Sequence, residues 1–234
     1  MNIHNQDKTK LVNSVFDKVY KNYDLMNDLM SFGIHRFWKK NLITWMNPQP
    51  GNKIIDVASG TGDLAKIISK KNDNQNIIYC IEPNKAMLET GKEKLKSFRN
   101  IKWHLSFAEK LPFKDNSFDF YTISYGIRNV TNINSCLKEA YRVLKPGGRF
   151  LCLEFSKVEN EILKLLYQKY SKLIPIFGKI IVGSPEPYEY LVNSIEKFYN
   201  QNDLLDLLKN NNFSNVQFRN LSSGISAIHS GWKI

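Results

Sequence analysis

Apolar positions recur at helical spacing from residue 8 to residue 20, where Leu11, Val12, Val15, Phe16 and Val19 share one face, and predict an amphipathic helix. A second helical stretch, KNYDLMNDLMSFGIHRFWKKNLITWM at 21–46, is rich in methionine and aromatics and is interrupted at Gly33. Pro48, Pro50 and Gly51 end it, so residues 1–50 are expected to form a helical cap. Stripes of methionine and aromatics more often pack a core than line a ligand, yet a cap placed before a nucleotide fold often closes over what that fold binds.

From residue 53 the period changes. Short apolar runs at 53–57, 77–81, 101–107, 118–124 and 149–155 alternate with helical patterns at 63–70, 85–98 and 133–144. Such alternation predicts an α/β fold, a parallel sheet wound on both faces that binds ligands at the carboxyl ends of its strands. Asp56, Glu82, Phe107, Ala108 and Ser124 fall at those ends, and Lys145-Pro146-Gly147-Gly148 reads as a helix stop and tight turn before the fifth strand. After Phe155 the alternation breaks. A helix at 161–172, an apolar stretch at 173–183 broken by Pro175, Gly178 and Lys179, and a loop at 185–190 read as an insertion, residues 156–200, over the sheet's ligand edge. Residues 201–234 supply a helix at 203–210 and two strands, 215–221 and 225–232, joined through Ser222-Ser223-Gly224 as a closing hairpin.

At 234 residues and 42% hydrophobic content, the chain is expected to form one domain around a core at 53–155. Lysine and arginine number 33 against 22 acidic residues, and the resulting +11 points to an anionic surface: a membrane, a nucleic acid or an acidic partner. Cys80, Cys136 and Cys152 show neither paired nor metal-ligand spacing, which suits buried thiols in a reducing compartment and predicts no metal. No signal-like segment opens the chain and no run approaches the roughly twenty apolar residues that span a bilayer, so a cytoplasmic protein, peripheral on the inner membrane face at most, is expected.

The chemistry centres on KIIDVASGTGDL at 53–64, where a strand gives way to a glycine-rich turn opening a helix. Gly60, Gly62 and Ala65 fit G-x-G-x-x-G/A, and Glu82, about twenty residues on, is placed to accept from ribose hydroxyls. This pattern alone serves a dinucleotide or S-adenosylmethionine equally. Charge favours the second: Asp63 would repel a pyrophosphate, whereas a ligand carrying an ammonium and a sulfonium suits Asp56 and Asp63. The bland alternative is that Asp63 caps its helix.

The accumulated motifs resemble the ubiquinone and menaquinone biosynthesis C-methyltransferases. The matching segments are YDLMNDLMSFGIHRFWK in the cap, DVASGTGDL, AEKLPF, TISYGIRNVTN, YRVLKPGGRFLCLEFSK, YEYLVNSI and the terminal GISAIHSGWKI. The resemblance implies a class I methyltransferase fold, a Rossmann-like seven-stranded sheet with S-adenosylmethionine as donor and a polyprenyl quinol ring as acceptor. That acceptor is the 2-methoxy-6-polyprenyl-1,4-benzoquinol of the ubiquinone pathway, demethylmenaquinol, or both. Carried over by position, cofactor contacts fall on Thr61, Glu82, Phe107, Ala108 and Ser124, beside Asp56, Gly60 and Gly62. Glu82 replaces the commoner Asp and keeps the ribose acceptor. Phe107 replaces a polar residue that faces adenine, which leaves stacking and the backbone N–H of Ala108.

Arg128 and Asn129 in SYGIRNV are expected beside the acceptor, Arg128 stabilising a developing phenolate and Asn129 orienting it. The competing reading ties Arg128 to Asp119 or Glu154. His35 and His229 are the titratable candidates for a base; Tyr188, Tyr190 and His229 are candidate liners of the quinol pocket, with packing roles as the alternative for the tyrosines. Residues 162–182 mix large aliphatics with Lys164, Lys169, Lys172 and Lys179, the pattern of an interfacial segment on an anionic membrane or of an ordinary packing helix. Three rivals remain. An RNA or other small-molecule methyltransferase is one; nucleic acid is disfavoured as a partner because SYGIRN stands where amino-methylating enzymes carry D/N-P-P-Y/F. A dinucleotide oxidoreductase is disfavoured by Asp63 and the terminal hairpin. The third is a non-catalytic member of a quinone-synthesis complex.

Overall fold

The computed structural model describes residues 3–20, 23–31 and 33–234. Three helices come first, α1 (Ile3–Val19), α2 (Tyr23–Ser31) and α3 (His35–Met46). The core then runs β1 (Lys53–Val57), α4 (Asp63–Lys71), β2 (Ile77–Glu82), α5 (Lys85–Lys94), β3 (Ile101–Leu105), β4 (Phe118–Ser124), α6 (Ile133–Val143) and β5 (Leu144–Phe155). Two helices, α7 (Glu161–Val182) and α8 (Glu186–Glu196), precede α9 (Gln201–Asn210) and the hairpin β6 (Ser214–Leu221) and β7 (Ser226–Trp232).

The seven strands form one sheet in the order β3-β2-β1-β4-β5-β7-β6, parallel through β5, with β7 antiparallel to β5 and β6. Alternation along each strand divides the core between the two faces. Ile54, Ile78, Leu151 and Leu153 join a cluster with Trp38 and Leu42 of the cap, Ile68 of α4 and Leu191 of α8. Ile55, Ile81, Ile123, Phe150 and Cys152 pack on the other face with Leu137 and Ala140 of α6 and Leu204 and Leu208 of α9. All three cysteines are free and buried, as their spacing suggested.

Two boundaries differ from expectation in ways that matter. Helix α7 runs unbroken for 22 residues through Pro175, and α8 begins at Glu186 where a loop was expected. A proline inside a helix forfeits one hydrogen bond and crowds the preceding turn, so tertiary packing has to compensate. It does so at Gly178, where an added Cβ would collide with the ring of Tyr188; absence of a side chain lets α7 and α8 close on each other. Asn160 caps the start of α7 by accepting from Leu163 N at 3.0 Å, and Gly183, at φ 78°, ends it. The second difference lies at Lys145-Pro146-Gly147-Gly148. Gly147 N donates to Lys233 O at 2.7 Å and Lys233 N to Gly148 O at 3.0 Å, so the expected turn extends β5 along the end of the chain. Among the described residues no helix is long and apolar enough to cross a membrane.

Candidate active site

The adjacent ends of β1 and β4 leave their strands through left-handed residues, Ala58 at φ 51° and Tyr125 at φ 56°. Non-glycine residues seldom hold this conformation, and such strain gathers where a site demands it. The loop after Ala58 turns at Gly62, which is glycine for two reasons: its φ is 82°, and a Cβ there would stand 2.7 Å from Leu95 and 2.9 Å from Trp103. With Gly60 also at positive φ, this packing opens a crevice at the carboxyl edge of the sheet.

The crevice has two parts that share Ala58 and Tyr125. The larger part is the more apolar of the two. It is lined by Gly60, Glu82, Met87, Phe107 and Ala108, and roofed by Val12, Asn13 and Phe16 of α1. The smaller part is polar, lined by Asp56, Thr61, Asp63 and Ser124 together with Asn27 of α2 and Lys39 of α3. All eight residues expected to hold the cofactor thus gather at the loop and strand ends around this crevice, with Gly62 shaping the loop itself. The cap covers both parts. Lys8 donates to Val130 O at 2.6 Å, Thr9 and Thr131 hydroxyls lie 2.7 Å apart, and Asn84 Nδ2 donates to Asp17 at 2.7 Å, all fastening α1 across the strand ends.

Its electrostatics are set by carboxylates buried without full compensation. Asp56 accepts from Thr122 Oγ1 at 2.8 Å through one oxygen, while its Oδ2 is buried with no partner. Burial pushes its pKa up to about 7 against the pull of Thr122 and of Lys39. Glu82 accepts from Gly60 N at 2.8 Å and Asn84 N at 3.0 Å, bracing the glycine loop; burial still pushes it up to about 7, and Asp56 adds to the rise. Asp63 behaves differently from expectation. Burial alone would raise it, but Lys39 at 3.5 Å and Lys94 at 2.8 Å outweigh that and hold it low, so its charge is already balanced within the protein. Ser124 Oγ, like Asp56 Oδ2, is buried without a partner. Two orphaned acceptors in one polar recess fit the ammonium end of S-adenosylmethionine, and Glu82 beside the larger recess fits its ribose.

The candidate acceptor residues are distributed less simply. Arg128 is buried and its Nη1 donates to Glu154 Oε1 at 2.6 Å and to Tyr125 O at 2.7 Å. Of the two acidic partners considered, Glu154 is therefore the one found; Asp119 is engaged by Lys145 Nζ at 2.6 Å and by Lys53 N. Arg128 Nε is buried without a partner. Asn129 lines the crevice and accepts from the Tyr190 hydroxyl at 3.1 Å, which brings the insertion to the mouth of the site. Tyr188 and His229 are not among the residues that line either part of the crevice. Tyr188 is fully buried against Gly178, a residue of the α7–α8 contact. His229 donates from Nε2 to Gln201 O at 2.8 Å, packs against Phe218, and burial pushes it down to about 4, a neutral core histidine that lines neither part of the crevice. His35 likewise lies outside the crevice lining, its Nε2 held 2.9 Å from Asp28.

Several site residues carried no role in the sequence reading: Tyr125 and Thr122, which shape and brace the recess, and Asn27 and Lys39 from the cap. Lys39 stands inside the HRFWK motif, and its signal was a charge at a position the helical pattern turns inward.

A model of the ubiE/COQ5 methyltransferase family matches residues 2–233. The chain belongs to that family. The ubiquinone/menaquinone biosynthesis C-methyltransferase UbiE of Rickettsia prowazekii is 52% identical over 234 residues, covering 97% of this chain and 94% of the relative. The UbiE of Brucella suis is 48% identical over 238 residues, covering 99% and 88%. Among solved structures, a S-adenosylmethionine-dependent methyltransferase of Thermotoga maritima, described as a possible histamine N-methyltransferase, superposes with a TM-score of 0.66 at 22% identity over 94% of this chain and 99% of that one. A Haemonchus contortus phosphoethanolamine N-methyltransferase in complex with S-adenosyl-L-methionine gives 0.62 at 12% identity, covering 84% and 52%. These structural likenesses show the class I methyltransferase fold.

Proposed function

We infer that this family member transfers a methyl group from S-adenosylmethionine to a ring carbon of a polyprenyl quinol in ubiquinone or menaquinone biosynthesis. The observation that carries the reading is the pair of buried, under-compensated carboxylates, Asp56 and Glu82, at adjacent strand ends beneath a cap. A cationic nucleoside ligand supplies the compensation they lack, whereas a pyrophosphate would add to the repulsion. The UbiE relatives' names, ubiquinone/menaquinone biosynthesis C-methyltransferase, support ring-carbon methylation in those pathways.

S-adenosylmethionine, when bound, supplies an electrophilic methyl on sulfur; a quinol carbon becomes a sufficient nucleophile as its phenol loses a proton. The chain's part is to bring ring and donor together, and well-oriented reactions gain about 7–11 kcal/mol from that alone. Asn129, lining the crevice and bonded to Tyr190, is placed to orient the ring hydroxyl. Arg128 is buried, paired with Glu154 and outside the lining of both parts of the crevice, so its part is to hold the loop that carries Tyr125 and Asn129 through its bonds to Glu154 and Tyr125 O.

The α7 face supports a membrane-bound acceptor. Ile162, Leu165, Leu166, Leu173 and Ile176 recur at helical spacing and are exposed, with Lys169 among them and Lys172 and Lys179 alongside. An apolar stripe edged with lysine on a chain of +11 suits an anionic bilayer surface, from which a prenylated ring would be drawn.

The test is methyl transfer from labelled S-adenosylmethionine to a demethylated benzoquinol and to demethylmenaquinol, with quinone profiling of a deletion strain. Ring methylation of either, with the matching precursor accumulating in cells, is expected. Binding of NADH in preference to S-adenosylhomocysteine would overturn the reading.

A further inference from the structure

We propose that Lys39 is the residue that binds the carboxylate of the methyl donor's amino-acid end, so that the cap recognises the donor by charge as well as by shape. This rests on the methyl-donor reading above and adds a residue to it.

Lysine is rarely buried without a strong partner, because removing an ammonium from water is costly. Lys39 is only 6% exposed. Among the described residues its one ion-pair partner is Asp63, at 3.5 Å, a long contact for an ammonium and a carboxylate, and Lys94 takes the other oxygen of the same carboxylate at 2.8 Å. An ammonium has three donors, so Lys39 retains donor capacity inside the recess it lines. Lys94 already serves Asp63 at the closer distance; an equally buried apolar side chain on α3 would spare the cost of desolvating a second lysine.

The recess gives that charge a use. Asp56 Oδ2 is buried there without a partner, an acceptor for an ammonium. An amino-acid head group carries an ammonium and a carboxylate on one carbon. Without Lys39, the recess would offer the carboxylate only Asp56 and an Asp63 already engaged by Lys94; with Lys39, one recess offers opposite charges from β1 and α3, the layout a zwitterion requires. Placement on the cap adds a consequence: the donor's amino-acid end would bridge the sheet and α3, holding the cap over the crevice when the site is filled.

The test uses the full chain titrated calorimetrically with S-adenosylhomocysteine and with its decarboxylated analogue, which keeps the adenosine, the sulfur and the amine and lacks only the carboxylate. The unmodified protein is expected to prefer the first by roughly ten- to a hundredfold, the scale of one charge-assisted contact. In Lys39→Met and Lys39→Gln that preference should fall to within about twofold, with affinity for the analogue little changed. A preference that persists in the variants overturns the proposal, as does equal weakening of both ligands in variants whose thermal melts match the parent, which marks a structural role. Because either variant could fail to fold, the unmodified chain gives an independent reading: equal affinity for the two ligands overturns the proposal without any substitution. Failure of the unmodified chain to bind either ligand sinks the methyl-donor reading itself.

Discussion

The donor crevice and the α7–α8 insertion break the ordinary rule of burial in opposite directions. At the crevice, charge is placed where a core would be apolar: Asp56 and Glu82 are each pushed up to about 7 by burial. On α7, apolar side chains are placed where a surface would be polar, Ile162 at 73% and Leu166 at 59% exposure. On the proposed function each misfit would be relieved by a different molecule, one cationic and small, the other an apolar surface. Where a protein is locally wrong for itself, it tends to be right for what it binds.

The two regions meet where Tyr190 bonds to Asn129, next to the Arg128–Glu154 pair, and breaking that pair is expected to have the largest effect. Glu154→Gln strands a guanidinium that is 4% exposed, and removing one partner of a buried pair typically costs about 3–5 kcal/mol. Urea denaturation should show a loss of that size. Replacing both partners, Arg128→Met with Glu154→Leu, should cost much less, because no charge is left without its counterpart. A double variant as damaged as the single one would show that the pair's geometry, and not charge cancellation, holds the loop.

Second in size is Asp56→Asn. Removing the acceptor should weaken S-adenosylhomocysteine binding about a hundredfold, the scale of a lost ionic hydrogen bond in a dry recess. The ligand-free protein should become more stable at pH 8, by up to about 4 kcal/mol if asparagine keeps the bond to Thr122. The sign follows from linkage. A carboxyl raised in the folded state above its ordinary value binds more protons folded than unfolded between about pH 4 and pH 7, so its favourable contribution is complete below the unfolded value and is lost as pH rises through about 7. An asparagine escapes that loss. A destabilised variant that still bound the ligand would contradict the functional origin of the misfit.

Most of the first region was legible in the sequence, because alternating strand and helix patterns locate strand ends, and strand ends locate Asp56, Glu82 and Ser124 without any knowledge of side-chain contacts. The second region was less so. Pro175 argued locally for a break, and the helix persists because Gly178 meets Tyr188 across a contact whose two members are ten residues apart with no pattern linking them. Lys39 was obscured for the same reason, and the sequence offered Glu154 beside Asp119 as a partner for Arg128 without choosing between them: periodicity reports which face is buried, not which charge on it finds a partner. His229 shows the converse, a titratable side chain in a distinctive motif whose neighbours, Gln201 and Phe218, make it part of the core.

The pH dependence of binding sharpens the contrast at a smaller scale. Each carboxylate near 7 in the ligand-free crevice is favoured in its ionised form by a bound ammonium, so its pKa falls on binding and a proton is released. Affinity should therefore rise with pH, by about tenfold between pH 6 and pH 8 for each carboxyl coupled to the ligand, and level off above that. Calorimetry in buffers of differing ionisation enthalpy counts the protons. Binding that releases none at pH 6.5 would mean both groups are already charged in the free protein, and that burial is better compensated there than the geometry indicates.

The smallest effects belong to the insertion, where each contact is exposed. Reversing one lysine beside the stripe, Lys172→Glu or Lys179→Glu, should weaken binding to vesicles rich in anionic lipid by several-fold, since a lysine near such a surface contributes about 1 kcal/mol and reversal adds repulsion. Raised salt should act in the same direction, because charges at an open surface are screened over about 8 Å at physiological ionic strength. Leu165→Asp with Ile176→Asp removes the apolar term and should weaken binding at every salt concentration, separating insertion from electrostatic attraction. Affinity of each variant for S-adenosylhomocysteine should match the parent, as none of the four positions lines the donor crevice. If lysine reversal lowered donor affinity while vesicle binding stayed constant, the two misfits would belong to one site, and the exposed stripe would need an occupant other than lipid.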